Sequence, residues 1–351
     1  MTIVFVGNMR SPLARYRFDM VVHATSERAY FYDRGVCTFH NSVYMPSEKY
    51  FESYLSLSKK ILYKTKINHI ISFFALLNFC LKNKVRVIIF HGVSVQLLSF
   101  IGLILDVKIV ATPQGSDINR RGNGINARLT RVLLNQADVV TYKSNAMMKR
   151  IMCISNCKRL ANLNWGVDPV FENQKFEGGN TKFTIFSPRQ NKPNYNVDVI
   201  AKAVKKLKHE GLPLYFINVS LTEEGVASIF ADETHYQLSS SEMAKIYLRS
   251  DVMVSVPSQD GFSTSVMEGL MLGVLPIISD IPAYSEEFPS DQFMVRKIKD
   301  ICVEELAAKL RGAYHDWSAI NSTKVHRQQY AKISYGRTNQ MLKLKSMLAN
   351  L

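Results

Sequence analysis

Paired cysteines, membrane-length apolar runs and metal-binding motifs are all missing from this 351-residue sequence. Its five cysteines (Cys37, Cys80, Cys153, Cys157, Cys302) are odd in number and include no Cys-x-x-Cys pair. A disulfide framework or zinc site is therefore not expected, and a reducing compartment fits. No apolar run reaches the roughly 18 residues that a membrane span needs. The longest candidate, Ile67 to Leu81, is interrupted by Asn68, His69 and Asn78. Thr2–Gly7 has no basic region before it, so it reads as a first strand and not as a signal peptide. Asp-x-Asp and His/Cys/carboxylate clusters at metal-ligand spacing do not occur, so no metal is expected. Gly-x-Gly-x-x-Gly, the Walker A pattern and Gly-x-Ser-x-Gly are also absent. That argues against dehydrogenase, P-loop and hydrolase readings.

What is present is globular. Hydrophobic residues make up 47% and charged residues 21%, and the length suits about two domains of ordinary size. The net charge is +15 and uneven. Up to Asn180 there are 24 Lys+Arg against 11 Asp+Glu, a net of +13; the remainder carries 20 against 18, a net of +2. Lys59, Lys60, Lys64 and Lys66 cluster around Tyr63, and Arg120, Arg121, Arg128 and Arg131 form a second group. Such asymmetry points to an anionic partner, either a membrane surface, a phosphorylated substrate or nucleic acid. The plain alternative is a solvated face. Nucleic acid is the weakest option, because no zinc-finger, RNP or basic-zipper pattern appears.

Short β-rich runs alternate with helical patterns. Strands are expected at Ile3–Gly7, Arg86–Phe90, Lys108–Thr112 and Val139–Tyr142, with helices near 51–82, 94–105, 125–136 and 144–152. A polar, glycine-containing linker, Lys175–Asn180, follows. The alternation then restarts, with strands at Phe183–Ser187, Leu214–Val219, Thr234–Leu238, Asp251–Pro257 and Leu275–Ser279. Helices are expected at Val197–His209, from a capping box at Ser239–Glu242 to Arg249, and at Ser265–Leu272. This rhythm predicts two parallel, doubly wound α/β halves with ligands in a cleft between them.

The segment Val254–Ser279 carries the most chemistry. A strand ends at Pro257, a polar loop follows, and a short helix begins. Backbone N–H groups at Ser263, Thr264 and Ser265 open that helix and suit an anion. Glu268, about one turn further on, suits the two hydroxyls of a ribose. Diphosphate and ribose on one unit would mean a nucleotide. The alternative is an Asp260-Gly261 turn followed by a surface glutamate.

Asp260, Gly261, Phe262, Glu268, Gly273, Pro276, Ile277, Ile278 and Asp280 stand in the order of a known signature. The segment resembles that of the retaining glycosyltransferases of family 4, which have the GT-B fold. The resemblance implies that Glu268 binds the ribose of a nucleoside-diphosphate sugar. It places Gly261 and the loop Ser263–Ser265 at the diphosphate, and Asp260 near the donor sugar. Ile185–Lys192 resembles the first strand and loop of the donor domain, implying that Arg189 and Lys192 clamp the diphosphate. Here the two cations are three apart instead of the usual five. Asn164–Asp168 resembles the segment before the interdomain linker, with a structural role, and Ala244–Val252 resembles the helix before the signature strand. Ile89–Gly92 and Ala111–Asp117 match two loops facing the cleft. Gln114 stands where the family's His-Gly-x-Asp motif has its histidine. Its presence does not exclude activity, because the front-face mechanism proposed for the family needs no protein nucleophile. Gly7, Arg10, His91, Gln114 and Asp117 are the acceptor-side candidates. For His91 a structural strand-end role is the alternative, and for Asp117 a helix cap.

The expectation is a GT-B hexosyltransferase, retaining and metal-independent, without cofactor. Domain 1–170 would hold a glycan or polyprenyl-diphosphate-linked acceptor and domain 171–325 the donor, with a helix from about 325–351 packing back on the first. A cytoplasmic location is expected, peripheral at the inner membrane face through residues near 59–81, in surface-polysaccharide biosynthesis. The alternatives are a non-catalytic glycan- or nucleotide-binding subunit of the same fold, or a nucleotide-sugar epimerase.

Overall fold

The computed structural model describes residues 2–9, 11–25, 27–34, 37–41, 67–115, 117–118, 124–174, 181–220, 230–289 and 291–351. The chain divides into two compact units, Met1–Asn164 with Gln340–Leu351, and Trp165–Asn339.

The first unit is built on a seven-stranded sheet. Its strands are β1 (Thr2–Gly7), β2 (Arg28–Asp33), β3 (Thr38–Asn41), β4 (Val85–His91), β5 (Lys108–Thr112), β6 (Val139–Tyr142) and β7 (Leu160–Asn162). Their order is β3-β2-β1-β4-β5-β6-β7, and every pair is parallel except β2–β3. Ile3–Val6 and Val87–Phe90 are buried on both faces, which is why they read as unbroken apolar runs. The winding direction reverses between β1 and β4. The helix Pro12–Ala24 leads away from the end of β1; Ser11 caps it, its Oγ accepting from the Ala14 N–H at 3.3 Å.

Two helix expectations change. Only Ile67–Lys82 of the 51–82 helix is described; the Lys59–Lys66 cluster lies outside the described residues. The 94–105 stretch is instead a 3₁₀ turn, Gln96–Phe100, followed by one helical turn, Ile101–Ile104. Gln96 has φ of +53°, which breaks the α-helical path at its start.

The second unit holds a wholly parallel six-stranded sheet. Its strands are β8 (Phe183–Ser187), β9 (Leu214–Ser220), β10 (Glu233–Tyr236), β11 (Val252–Ser255), β12 (Leu275–Ser279) and β13 (Arg296–Ile298), in the order β10-β9-β8-β11-β12-β13. The winding reverses between β8 and β11. The helix Val197–His209 buries Val197, Ile200, Ala201, Val204 and Leu207 on one face and turns its lysines outward. Ser239 and Glu242 form the expected capping box. Strand β11 is shorter than the expected Asp251–Pro257. Pro257 has no N–H to donate, and the Asp251 carboxylate instead accepts from the Thr184 N–H at 2.9 Å. Strand β10 stops at Tyr236 and not at Leu238, since Gln237 adopts φ of +53°.

The division falls at Asn164/Trp165, ahead of the expected 170/171. Val167 and Phe171 are buried in one cluster with Phe186, Met253 and Met267, so residues after Trp165 belong to the second core. The expected linker, Lys175–Asn180, lies outside the described residues. The helix Lys324–Tyr335 also stays with the second unit, burying Ala331 and Tyr335 in that cluster. The chain rejoins the first unit at Gln340 and not near 325. There the fully buried Gln340 accepts from the Asn164 N–H at 3.3 Å, and Lys343 donates to Asn162 at 3.3 Å.

Candidate functional site

In the second unit the candidate residues meet where the sheet winding reverses. Parallel sheets bind ligands at the carboxyl ends of their strands beside such a reversal. Arg189 follows β8, Asp260 and Ser263 follow β11, and Tyr284 follows β12. The Arg189 guanidinium gathers all of them. Its Nε donates to Ser255 Oγ at 2.8 Å, and its Nη2 to Asp260 Oδ2 at 2.8 Å, Ser263 Oγ at 2.6 Å and Tyr284 Oη at 3.2 Å. The guanidinium also lies over the Tyr195 ring, 4.9 Å from its centroid. Burial alone would lower the Arg189 pKa, but Tyr284, Asp260 and Tyr195 raise it above its ordinary value. Burial pushes the Tyr284 hydroxyl well up, so it stays protonated and donates to Asp260 Oδ2 at 2.6 Å. The other Asp260 oxygen accepts from the Gly261 N–H at 2.7 Å.

This arrangement holds a cation rigidly at the mouth of a helix. Ser263 caps the helix Thr264–Met271, its Oγ accepting from the Val266 N–H at 3.3 Å. The N–H groups of Thr264 and Ser265 lie in the first turn, where no intrahelical acceptor exists. The helix sits close to β11 because residue 269 is glycine: a Cβ there would lie 2.5 Å from Met253 Sδ. The loops after β8 and β11 are also tied together. Asn194 donates to the Gln259 carbonyl at 2.8 Å, and Asn196 donates to the Val256 carbonyl at 2.8 Å.

Glu268 stands one turn into the helix. Desolvation pushes its pKa up to about 7, against the opposing effects of the Tyr247 hydrogen bond and Arg189 and with a further push from Asp168. The Tyr247 hydroxyl donates to Glu268 Oε2 at 3.3 Å and to the Ser265 carbonyl at 3.0 Å. Lys192, by contrast, is exposed in the loop. Its main chain ties the loop, its N–H donating to the Gln190 carbonyl and its carbonyl accepting from the Tyr195 N–H, both at 2.8 Å. The structure thus groups Arg189, Asp260, Gly261, Ser263, Thr264, Ser265 and Glu268, and leaves Lys192 apart. Ser255, Tyr247 and Tyr284 were not legible. Ser255 lies on β11 just ahead of the loop, Tyr247 on the helix before β11 and Tyr284 after β12, and the fold brings their hydroxyls together.

In the first unit the strand ends carry a second cluster. Gly7 closes β1 with a packing reason of its own, since a Cβ there would lie 2.9 Å from the Phe31 ring. Arg10 lies outside the described residues. His91 ends β4, and its Nε2 lies 2.8 Å from Arg17 Nη1. Arginine only donates, so Nε2 accepts and the ring proton sits on Nδ1. Burial lowers the His91 pKa well below its usual value, helped by Arg17, Lys143 and Arg34. The ring is therefore neutral. Gln114 Oε1 accepts from Arg17 Nη1 and from Lys143 Nζ, the latter at 2.7 Å, while its Nε2 donates to the Thr112 carbonyl at 2.7 Å. Asp117 caps no described helix; it ties two loops, accepting from the Val93 N–H at 2.7 Å and the Gln114 N–H at 2.8 Å. Arg17 and Lys143 were missed. The one local signal was a lysine at the end of β6, just before the helix-capping Ser144. Among the described residues no group of three or more His, Cys, Asp or Glu is placed to hold a metal ion, and no helix is long and apolar enough to cross a membrane.

No protein-family model matches this chain, and no curated protein matches it. Solved structures do. Sucrose-phosphate synthase from Thermosynechococcus elongatus superposes with a TM-score of 0.76 at 10% identity, over 100% of this chain and 98% of that one. Anabaena HepE in complex with UDP-glucose gives 0.76 at 10% identity, over the whole of both chains. A glycosyltransferase from Rickettsia africae gives 0.75 at 12% identity, over 99% of this chain and 97% of that one. At such identities the likeness is one of fold. The chain has the α/β GT-B fold expected from its sequence, with two Rossmann-like domains.

Proposed function

We propose that this protein is a glycosyltransferase that moves a hexose from a nucleoside-diphosphate sugar to a glycan or polyprenyl-diphosphate-linked acceptor. Transfer retains the anomeric configuration and needs no metal. The observation that carries this reading is the Arg189–Asp260–Ser263–Tyr284 cluster beside Glu268, at the winding reversal of the second sheet. Arg189 Nη1 makes no hydrogen bond to a described residue and remains available to a phosphate oxygen. With the Thr264 and Ser265 N–H groups it stabilises the charge that grows on the diphosphate as the glycosidic bond breaks. Lys192 adds an exposed cation from the loop. Glu268 accepts from the ribose hydroxyls, and Asp260, held by Arg189 and Tyr284, faces the donor sugar. Similar folds support the reading. HepE structures contain UDP-glucose, UDP, or UDP with glucose.

The acceptor belongs to the basic first unit. The helix Ile67–Lys82 exposes Ile70, Ile71, Phe74 and Leu81, which supports contact with lipid; the place proposed for the protein is peripheral, on the inner face of the cytoplasmic membrane, in surface-polysaccharide biosynthesis. Release of nucleoside diphosphate from a panel of UDP-, GDP-, ADP- and CDP-sugars tests the activity. One donor is turned over with acceptor present, and Arg189→Ala lowers the rate by about 10²–10³. Gln114 at the usual histidine position favours a second reading, a binding subunit without activity. Tight sugar-nucleotide binding with no turnover on any acceptor would establish that one instead.

A further inference from the structure

Two helices of the first unit, Ile125–Gln136 and Asn145–Ile154, carry no acidic residue between them. Their cations are Arg128, Arg131, Lys149 and Arg150. Two of these, Arg131 and Arg150, line one cavity of about 190 Å³. That is about six waters' share of liquid volume, room for an anionic group and not merely for one trapped water. Arg131 is exposed and makes no hydrogen bond or ion pair to a described residue. Arg150 is half-buried; its Nε donates to the Ile118 carbonyl at 3.4 Å, and its two Nη groups make no hydrogen bond to a described residue. Asp117 is the one acid in the lining. Its carboxylate accepts from the Val93 and Gln114 N–H groups, at 2.7 and 2.8 Å, and pairs with neither arginine. Two arginines against one aspartate leave the lining at a formal +1.

The remaining wall is polar and open to an anion. Asn126 and Thr130 contribute from the first helix. That helix starts at Gly124, also in the lining, which has no side chain to cap it, so its first N–H groups lack a side-chain acceptor. Asp117 and Ile118 come from the loop after β5. The cavity therefore belongs to the end of the sheet where parallel α/β units bind ligands. Guanidinium forks match phosphate oxygens in geometry and charge, whereas a neutral sugar would leave both arginines without a charge partner.

We propose that this cavity is a phosphate subsite, with Arg131 and Arg150 as its cationic contacts, and that the phosphate belongs to the acceptor. Assignment to the acceptor rests on the glycosyltransferase reading; the subsite itself does not. The ligand chemistry is a phosphate monoester or diphosphate, brought by a soluble sugar phosphate or by a lipid-linked diphosphate.

The test uses the full chain. Inorganic phosphate, glucose 6-phosphate and, as a neutral control, glucose are titrated calorimetrically at physiological ionic strength. The chain is also sedimented with phosphatidylcholine vesicles that contain or lack polyprenyl diphosphate. Binding of a soluble phosphate points to the first source, and a gain seen only on the diphosphate vesicles points to the second. Arg131→Met weakens the binding about tenfold or more, and adding Arg150→Met abolishes it. Arg131 is exposed, so the single variant melts with the wild type. Arg128→Met with Lys149→Met removes the same charge from the same helices outside the cavity, and keeps the affinity within about threefold. Arg189→Ala, in the second unit, keeps it as well. Binding of no phosphate source, equal binding by the Arg131–Arg150 double variant, or loss in Arg189→Ala instead, overturns the proposal. A nucleotide titration of the wild type runs alongside. Nucleotide binding without phosphate binding removes the subsite alone. Phosphate binding without nucleotide binding keeps the subsite and removes its assignment to an acceptor.

Discussion

Glu268 is the residue whose chemistry makes the sharpest statement about pH. Its pKa in the fold, about 7, lies above the ordinary 4.5. The folded state therefore keeps this proton across the window between those values while the unfolded chain releases it. Stability is highest below about 4.5 and falls as pH rises to 7. Glu268→Gln abolishes that loss. The variant should melt with the wild type at pH 4.5 and several degrees above it at pH 8, while losing nucleotide affinity. Thermal melts across that range check this; a wild type that is the more stable at pH 8 would contradict it. The motif spacing made Glu268, Asp260 and Ser263–Ser265 legible, because one loop–helix unit carries them all. Tyr247, Ser255 and Tyr284 were not legible. Each contributes one hydroxyl from a different element, and no local pattern marks a hydroxyl that matters only after the sheet has formed.

At the scale of elements, the central strands β1, β4 and β5 were readable, and of the edge strands only β10 was. β4 and β5 are continuous apolar runs. β2 begins with the exposed Arg28, and the short antiparallel β3 is only half-buried, so neither shows a parallel-strand pattern. The helix Lys324–Tyr335 was assigned to the wrong unit for a similar reason. Its anchor is one residue, the fully buried Arg327. That guanidinium donates to the Gly273 carbonyl at 2.8 Å, the Phe293 carbonyl at 2.6 Å, the Ile320 carbonyl at 2.5 Å and Thr323 Oγ1 at 2.8 Å. Burial lowers its pKa to about 10, so it stays charged near neutrality. Gly273 lies two residues past the end of the Glu268 helix, so the arginine ties down the chain that leaves it. Arg327→Met removes the guanidinium donor from the Gly273, Phe293 and Ile320 carbonyls. It should cost about 3 kcal/mol in urea unfolding, with loss of nucleotide affinity following loss of fold. A cost under about 0.5 kcal/mol would show that the brace is dispensable.

For the molecule as a whole, the charge is divided unevenly along the chain. The +13 carried by residues 1–180 belongs mostly to the unit that bears the Arg17–Lys143 pair and the exposed apolar residues of the Ile67–Lys82 helix. Binding to vesicles containing anionic lipid should fall steeply with salt, as surface charge is screened. Ile70→Ser with Phe74→Ser should remove most of what remains at high salt. Unchanged sedimentation of that double variant would mean that charge alone holds the protein to lipid.

A nucleotide site at the winding reversal of the second sheet can be titrated directly. UDP, GDP, ADP and CDP are titrated onto the wild type and onto Glu268→Ala, and heat and melting temperature are followed. One base should bind at a single site and, at 100-fold over its dissociation constant, add about 2.7 kcal/mol of stability. Glu268→Ala should lose that gain. Failure of all four nucleotides to bind, or equal binding by the variant, would mean that no nucleotide site lies there.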